Sequence, residues 1–270
     1  MKKFSLQALV LLMLPFLMAS CSSDSDGNFA PNSSGTTSST SGTGARNPEV
    51  GTGNNGRGGS MARFAITDNT LYTVGTSNLK AYNISNPERP VFQNETQLGF
   101  GIETVYPYKN RLYIGSNNGM LIYDITSPGN PQFVSNYNHI FSCDPVVVND
   151  DYAFVTLRSG TTCRMGTNRL EVVDIRNANM PTLVRDYEMV NPYGLGIDGD
   201  KLFVCDDGLK VYDASNVSNL VQTNKFNVNA FDVIPYKGNL MLIGEDGLYQ
   251  YSYNTSSIKQ LSHIKITPTN

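Results

Sequence analysis

Residues able to do chemistry are scarce in this 270-residue chain: it holds two His, four Cys and no Trp. Its 20 Lys and Arg stand against 23 Asp and Glu, a net charge of −3. No basic face is implied, and nucleic acid is not an expected partner. Two His and four Cys do not make a multi-zinc module, and no metal or other cofactor is expected. His139 and His263 share no partner spacing. The acids hold more promise. Asp124, Asp174 and Asp213 each precede a polar turn and would make a catalytic or metal cluster if they met. They recur at one position of a repeat, however. There an Asp accepts backbone N–H bonds and ties off a strand, and a symmetric repeat spreads the copies apart.

That repeat names the elements. Tyr82 opens a phrase that ends at Pro90, and variants of it begin at Tyr123, Val173 and Tyr212, with a decayed copy at Tyr251. The steps are 41, 50, 39 and 39 residues, and a period near ~40 points to a propeller or a solenoid. Within each unit, short β-rich runs such as 112–115 and 119–124 are separated by turn residues, and no window shows convincing helical periodicity. Four short strands per unit make a propeller blade. The expected fold is all-β, a five-bladed β-propeller with blades at 60–99, 100–140, 141–190, 191–228 and 229–270. A β-sandwich would also be all-β, but it does not need a phrase repeated five times.

The runs Leu121-Ile122-Tyr123-Asp124-Ile125 and Leu170-Glu171-Val172-Val173-Asp174-Ile175 resemble the LVIVD repeat of bacterial surface and secreted propellers. The resemblance spans residues 60–270 and is most specific at blades two, three and four; Asn83 and Ser252 stand where it expects Asp. It implies a fold and a location, and no general biochemical activity.

The N-terminus gives the address. Met1-Lys2-Lys3 precedes an apolar stretch through residue 20, the pattern of a signal peptide. Ala19-Ser20-Cys21 is similar to the bacterial lipoprotein signal, in which the cysteine is acylated and becomes the new N-terminus; Met18 stands where that signal prefers Leu. Acyl chains contribute about 0.8 kcal/mol per buried CH₂ and hold a protein on a membrane without a spanning helix. The acidic, serine-rich tract at 22–27 resembles the surface-export signal of Bacteroidetes lipoproteins. Residues 21–59 read as a lipidated, flexible Ser/Gly/Thr/Asn-rich tether, too polar to offset its ordering entropy and spanning roughly 35 Å as a coil. The expected location is the outer membrane, lipid-anchored and at the cell surface.

In a propeller the non-repeated residues at one mouth are the natural place for function. Aligned on the repeat, the starts of the innermost strands contribute Arg63, Glu103, Asp144, Tyr193 and Asp232, and the adjoining loops contribute Asp206-Asp207-Gly208, Glu245-Asp246-Gly247 and Asn117-Asn118-Gly119. Asp-Gly and Asn-Gly are equally ordinary hairpin turns. Blade three is about ten residues longer than its neighbours, within Leu157–Arg169. Repeat geometry puts Cys143 and Cys163 together on the mouth side, and an exported compartment permits a disulfide between them. Closing that loop would contribute about 3 kcal/mol in the entropy model. Arg158, Arg164 and Arg169 would then stand by the channel, and their planar forks suit carboxylates or phosphates. Cys205 matches Gly75, Ser116 and Gly244 in the repeat and is expected to be a small buried filler. The chain is therefore expected to be non-enzymatic, a surface lipoprotein whose propeller binds a protein or a carbohydrate. The alternative is a glycoside hydrolase using Glu103, Asp144 and Asp232, with Tyr106, Tyr108 and Tyr193 as stacking surfaces. A further option is a calcium-stabilised channel built on Asp206, Asp207, Glu245 and Asp246.

Overall fold

The computed structural model describes residues 59–138, 145–160, 167–253 and 258–266, all within one compact unit, residues 51–270. The described residues form five four-stranded antiparallel sheets arranged as a five-bladed β-propeller, the architecture that the repeat predicts. Blade one is β1 (Phe64–Thr67), β2 (Thr70–Val74), β3 (Asn78–Asn83) and β4 (Val91–Gln97). Blade two is β5 (Ile102–Tyr108), β6 (Arg111–Ser116), β7 (Gly119–Asp124) and β8 (Gln132–Asn138). Blade three is β9 (Val146–Val148), β10 (Tyr152–Leu157), β11 (Arg169–Asp174) and β12 (Thr182–Glu188). Blade four is β13 (Pro192–Asp198), β14 (Lys201–Asp206), β15 (Leu209–Asp213) and β16 (Val221–Phe226). Blade five is β17 (Ala230–Tyr236), β18 (Asn239–Gly244), β19 (Gly247–Ser252) and β20 (Lys259–Lys265).

The repeated phrase works through its backbone. Asp124, Asp174 and Asp213 each accept an N–H bond from the residue two positions on, as expected of a strand tie. Asn83, the departure in blade one, makes the same bond to Ser85. One residue after each tie position, a backbone N–H reaches back to the turn between the blade's first two strands: Ile84 to Asn69, Ile125 to Asn110, Ile175 to Asp151, Ala214 to Asp200 and Tyr253 to Gly238. The third and fourth strands then shift register at the same place in every blade, next to Tyr82, Tyr123, Val173, Tyr212 and Tyr251. Such a bulge sharpens the local twist of a sheet.

The core lies between blades. Alternate residues of each strand face opposite neighbours, and four apolar clusters fill the seams from blade one round to blade five. Tyrosine supplies much of the polar stapling there. The Tyr72 hydroxyl donates to Pro128 O, Tyr187 to Val217 O, Tyr137 to Glu171 and Tyr253 to Asp198, each in a neighbouring blade. The thiol of Cys205 is fully buried in the cluster between blades four and five, the filler position expected of it, and burial pushes its pKa well up.

Closure differs at the last seam. Every sheet is made of consecutive strands, so among the described residues no strand from one end of the chain completes a blade at the other. On β1, Ala65 packs toward blade two, while Phe64 and Ile66 point the other way and remain 60 % and 45 % exposed. Among the described residues, hydrogen bonds from Ser60 and Met61 to Asp232 tie the start of blade one to blade five.

Candidate functional site

Two cavities mark the ends of the axial channel. The mouth cavity has a volume of about 490 Å³ and is lined from four blades by Arg63, Thr76, Glu103, Arg158 and Tyr193 among others. Four candidates from the strand starts and the long loop thus meet in one place: Arg63, Glu103, Arg158 and Tyr193. Arg63 is exposed, and its Nη2 donates to Ile102 O at 3.2 Å, which anchors the guanidinium along the rim. Arg158 opens the long b–c loop of blade three, just after β10, and its guanidinium lies 4.2 Å from the centre of the Tyr193 ring. That distance is within cation–π range. Tyr193 is held in turn: its carbonyl accepts from Thr156 Oγ1 at 2.6 Å, and its ring tilts against Phe231 at 5.6 Å. The site therefore offers two positioned cations, a carboxylate, an aromatic ring and a threonine hydroxyl.

The other candidates among the described residues go elsewhere. Asp206 is fully buried; its carboxylate accepts from the backbone N–H groups of Val190 and Asn191 and from Lys210 Nζ at 2.7 Å. It braces the loop into blade four and does not face the mouth cavity. Asp232 is occupied as well. Its Oδ1 accepts from the Ser60 hydroxyl at 2.9 Å and from Val233 N at 2.9 Å, and its Oδ2 from Met61 N at 3.3 Å. Burial raises the Asp232 pKa above the usual carboxylate range, partly offset by these bonds. Asp144 and Arg164, with Cys143 and Cys163, lie outside the described residues, as do Cys21, His139 and the tether up to residue 58.

Ser60 is the residue that sequence reasoning missed. It is fully buried, and its Oγ also accepts from Leu195 N at 2.8 Å, so one hydroxyl joins the start of blade one to blades four and five. The bonds span 135 and 172 positions, and no local motif signals such partners. Glycine makes room for the carboxylate on both sides. A Cβ at Gly59 would stand 2.1 Å from Asp232 Oδ2, and one at Gly194 2.2 Å from Oδ1. Met61 lines the mouth cavity and Leu195 lines a second cavity of about 240 Å³ at the far ends of the inner strands. The latch lies between the two.

Tyr106 and Tyr108 line that second cavity, away from Glu103, so they are not stacking surfaces for a mouth ligand. The acids suggested for calcium are dispersed into separate pairs. Asp207 meets Lys225, Glu245 accepts from Asn229, and Asp246 accepts from Tyr249 and faces His263. Among the described residues no three His, Cys, Asp or Glu converge in a metal-binding group.

Comparison with known proteins supports a β-propeller repeat protein. The LVIVD repeat matches residues 107–139 and 142–189, which lie in blades two and three. No curated protein matches the chain. Among solved structures, the chain is similar to a functionally unknown protein from Desulfotomaculum acetoxidans, at 11 % identity and a TM-score of 0.62, covering 76 % of this chain and 69 % of that one. A periplasmic gluconolactonase from Pseudomonas aeruginosa follows at 10 % identity and a TM-score of 0.55, covering 76 % and 68 %. BamB from Moraxella catarrhalis has 12 % identity and a TM-score of 0.52, covering 72 % and 56 %. At these identities the likeness is one of fold.

Proposed function

We propose that this chain is a membrane-anchored surface lipoprotein whose propeller binds a protein or a glycan at the mouth, without catalysis. The observation that carries this reading is the mouth cavity itself, where Arg63, Glu103, Arg158 and Tyr193 gather although the repeat does not conserve their types from blade to blade. Cys21 as the lipid anchor, the outer-membrane surface as its location and a Cys143–Cys163 disulfide beside the mouth belong to the same reading. The hydrolase alternative needs two carboxylates flanking one bond, within about 10 Å of each other. Glu103 lines the mouth, but Asp232 is engaged by Ser60 and lies off the cavity lining. The gluconolactonase likeness is one of fold and does not favour catalysis here.

The test is to block the mouth without touching its charges. Thr76 sits on the rim with an exposed side chain, and Thr76→Trp would fill the opening. Full-length protein and this variant are applied to arrayed glycans and to purified envelope proteins. The reading expects specific capture by the parent and its loss in the variant. Capture that survives Thr76→Trp, or acyl labelling that survives Cys21→Ala, would overturn the corresponding half of it.

A further inference from the structure

We infer that the seam between blades five and one is an alkyl-chain site, and that its occupant is an acyl chain on the protein's own Cys21. The occupant rests on the lipidated Cys21 proposed above; the site does not. Strand register sets this seam apart. Phe64 holds the ladder position of Val105, Val146, Leu195 and Val233 in the other blades. Those four pack on the preceding blade and are at most 1 % exposed, whereas Phe64 is 60 % exposed. Across the seam, Ile243 holds the position of Val74 and Thr156, which are buried against the next blade. Ile243 is 52 % exposed, and Ile264, two strands over on the same face, is 61 % exposed. Residue types change as well. Tyr72, Tyr137 and Tyr187 donate their hydroxyls into the next blade. Blade five has Met241 at the place of Tyr72 and Ile264 at that of Tyr137 and Tyr187. Two apolar sheet faces thus flank a gap that water enters.

The inner end of the gap limits what fits. There Ser60 and Met61 bond to Asp232, and a Cβ at Gly59 would lie 3.6 Å from Ile234 Cδ1. A further blade, from a second copy or another protein, would need its two neighbours about 20 Å apart, twice the spacing of packed sheets. An extended peptide is slender enough. Between two sheet faces, however, it meets apolar side chains rather than a ladder edge, and its N–H and C=O groups would be buried without partners. An alkyl chain has no such groups, and each CH₂ that it buries strengthens binding about fourfold. The proposed anchor supplies one in place. Gly59, the first described residue, lies at the inner end of the seam, and the segment from Cys21 to that point spans roughly 35 Å as a coil. A tether of that reach keeps an acyl chain at about millimolar effective concentration. Held in the seam, the chain is shielded from water while the protein is away from a bilayer.

The site is tested on full-length Cys21→Ala protein, titrated with dansyl-undecanoic acid and then with octanoate, decanoate and dodecanoate as competitors below their micellar concentrations. The probe is expected to bind, and the competitors to gain about fourfold for each CH₂. Phe64→Gln and Ile243→Gln should each weaken the probe by about tenfold, while Thr76→Trp at the mouth leaves it unchanged. Both side chains are exposed without a ligand, so thermal midpoints should stay near that of the parent; should either variant misfold, Ile264→Gln takes its place. A probe that does not bind, competitors that ignore chain length, or seam variants that bind as the parent does would each overturn the site. The occupant is tested on the parent, labelled in cells with a diazirine-bearing fatty acid, irradiated and digested. Crosslinks from the acyl chain to peptides of β1 and β18–β20 are expected. A label present on Cys21 without those crosslinks overturns the occupant and leaves lipidation standing. A label absent from Cys21 overturns lipidation and the occupant together, and the titration alone then decides whether the seam takes an alkyl chain.

Discussion

Asp206 and Asp207 are chemically identical neighbours with opposite fates. Asp206 ends β14 buried, with Lys210 and two backbone N–H groups on its oxygens. Asp207 turns outward in the left-handed region, at φ 49°, and pairs with Lys225 in solvent. Removing one partner of a buried ion pair costs roughly 3–5 kcal/mol, because the other charge is left uncompensated. Asp206→Ala should therefore lower the urea midpoint sharply. Asp207→Asn, which tolerates the same backbone conformation, should leave it nearly unchanged. Comparable losses in the two variants would show that Asp206 does not brace the loop. The sequence placed both residues at the mouth, and burial separated them. Which of two adjacent aspartates turns inward depends on cross-strand neighbours such as Lys210 and on the loop from Val190, and their side-chain geometry has no local signature. Arg63, Glu103, Arg158 and Tyr193 were legible for a different reason: their place in the repeat sets the blade position, and blade position sets the end of the channel.

At the scale of the element, the third strand of a blade must start where its neighbour's backbone is closest. Gly119 and Gly247 stand there at φ 158° and 140°, with Gly208 just before β15 at φ 105°. A Cβ would come within 2.2 Å of Tyr137 O at Gly119, 2.5 Å of Phe226 O at Gly208 and 2.0 Å of Ile264 O at Gly247. The obstacle is backbone, which cannot swing aside as a side chain can. Gly119→Ala is therefore expected to cost about 1–3 kcal/mol, read from the denaturation midpoint. Gly160→Ala, where nothing lies within 4 Å of the added carbon, serves as the silent control. Equal effects would refute the steric account. These glycines were readable as turn signals, and the phrase around Asp124, Asp174 and Asp213 as a repeat. The bulge shared by all five blades was not readable, since it arises from pairing between strands rather than from the residues of one. Asn83 shows the limit of a strict motif: it departs from Asp yet makes the same backbone bond.

For the molecule as a whole, the question is how the ring closes when no described strand is shared between its ends. The only polar bonds described between the start of blade one and blades four and five run through Ser60 and Asp232, and the outward face of β1 keeps Phe64 and Ile66 exposed. The seam should therefore depend on the latch. Burial raises the Asp232 pKa above its value in an unfolded chain, about 3.9. Between those two values the folded state binds the extra proton, so stability is fully present below about pH 4 and falls as pH rises through the folded pKa. Asp232→Asn should remove that part of the decline. Ser60→Ala takes away a hydrogen bond that lowers the Asp232 pKa and leaves Leu195 N–H without its acceptor. It should cost about 1–3 kcal/mol and extend the declining window to higher pH. The decisive measurement is local: hydrogen exchange at Phe64–Thr67 should speed up in Ser60→Ala while β6 and β10 keep their protection. If exchange in β1 stays as slow as in the parent, the ring is closed by something other than the latch, and the exposed seam is held without it.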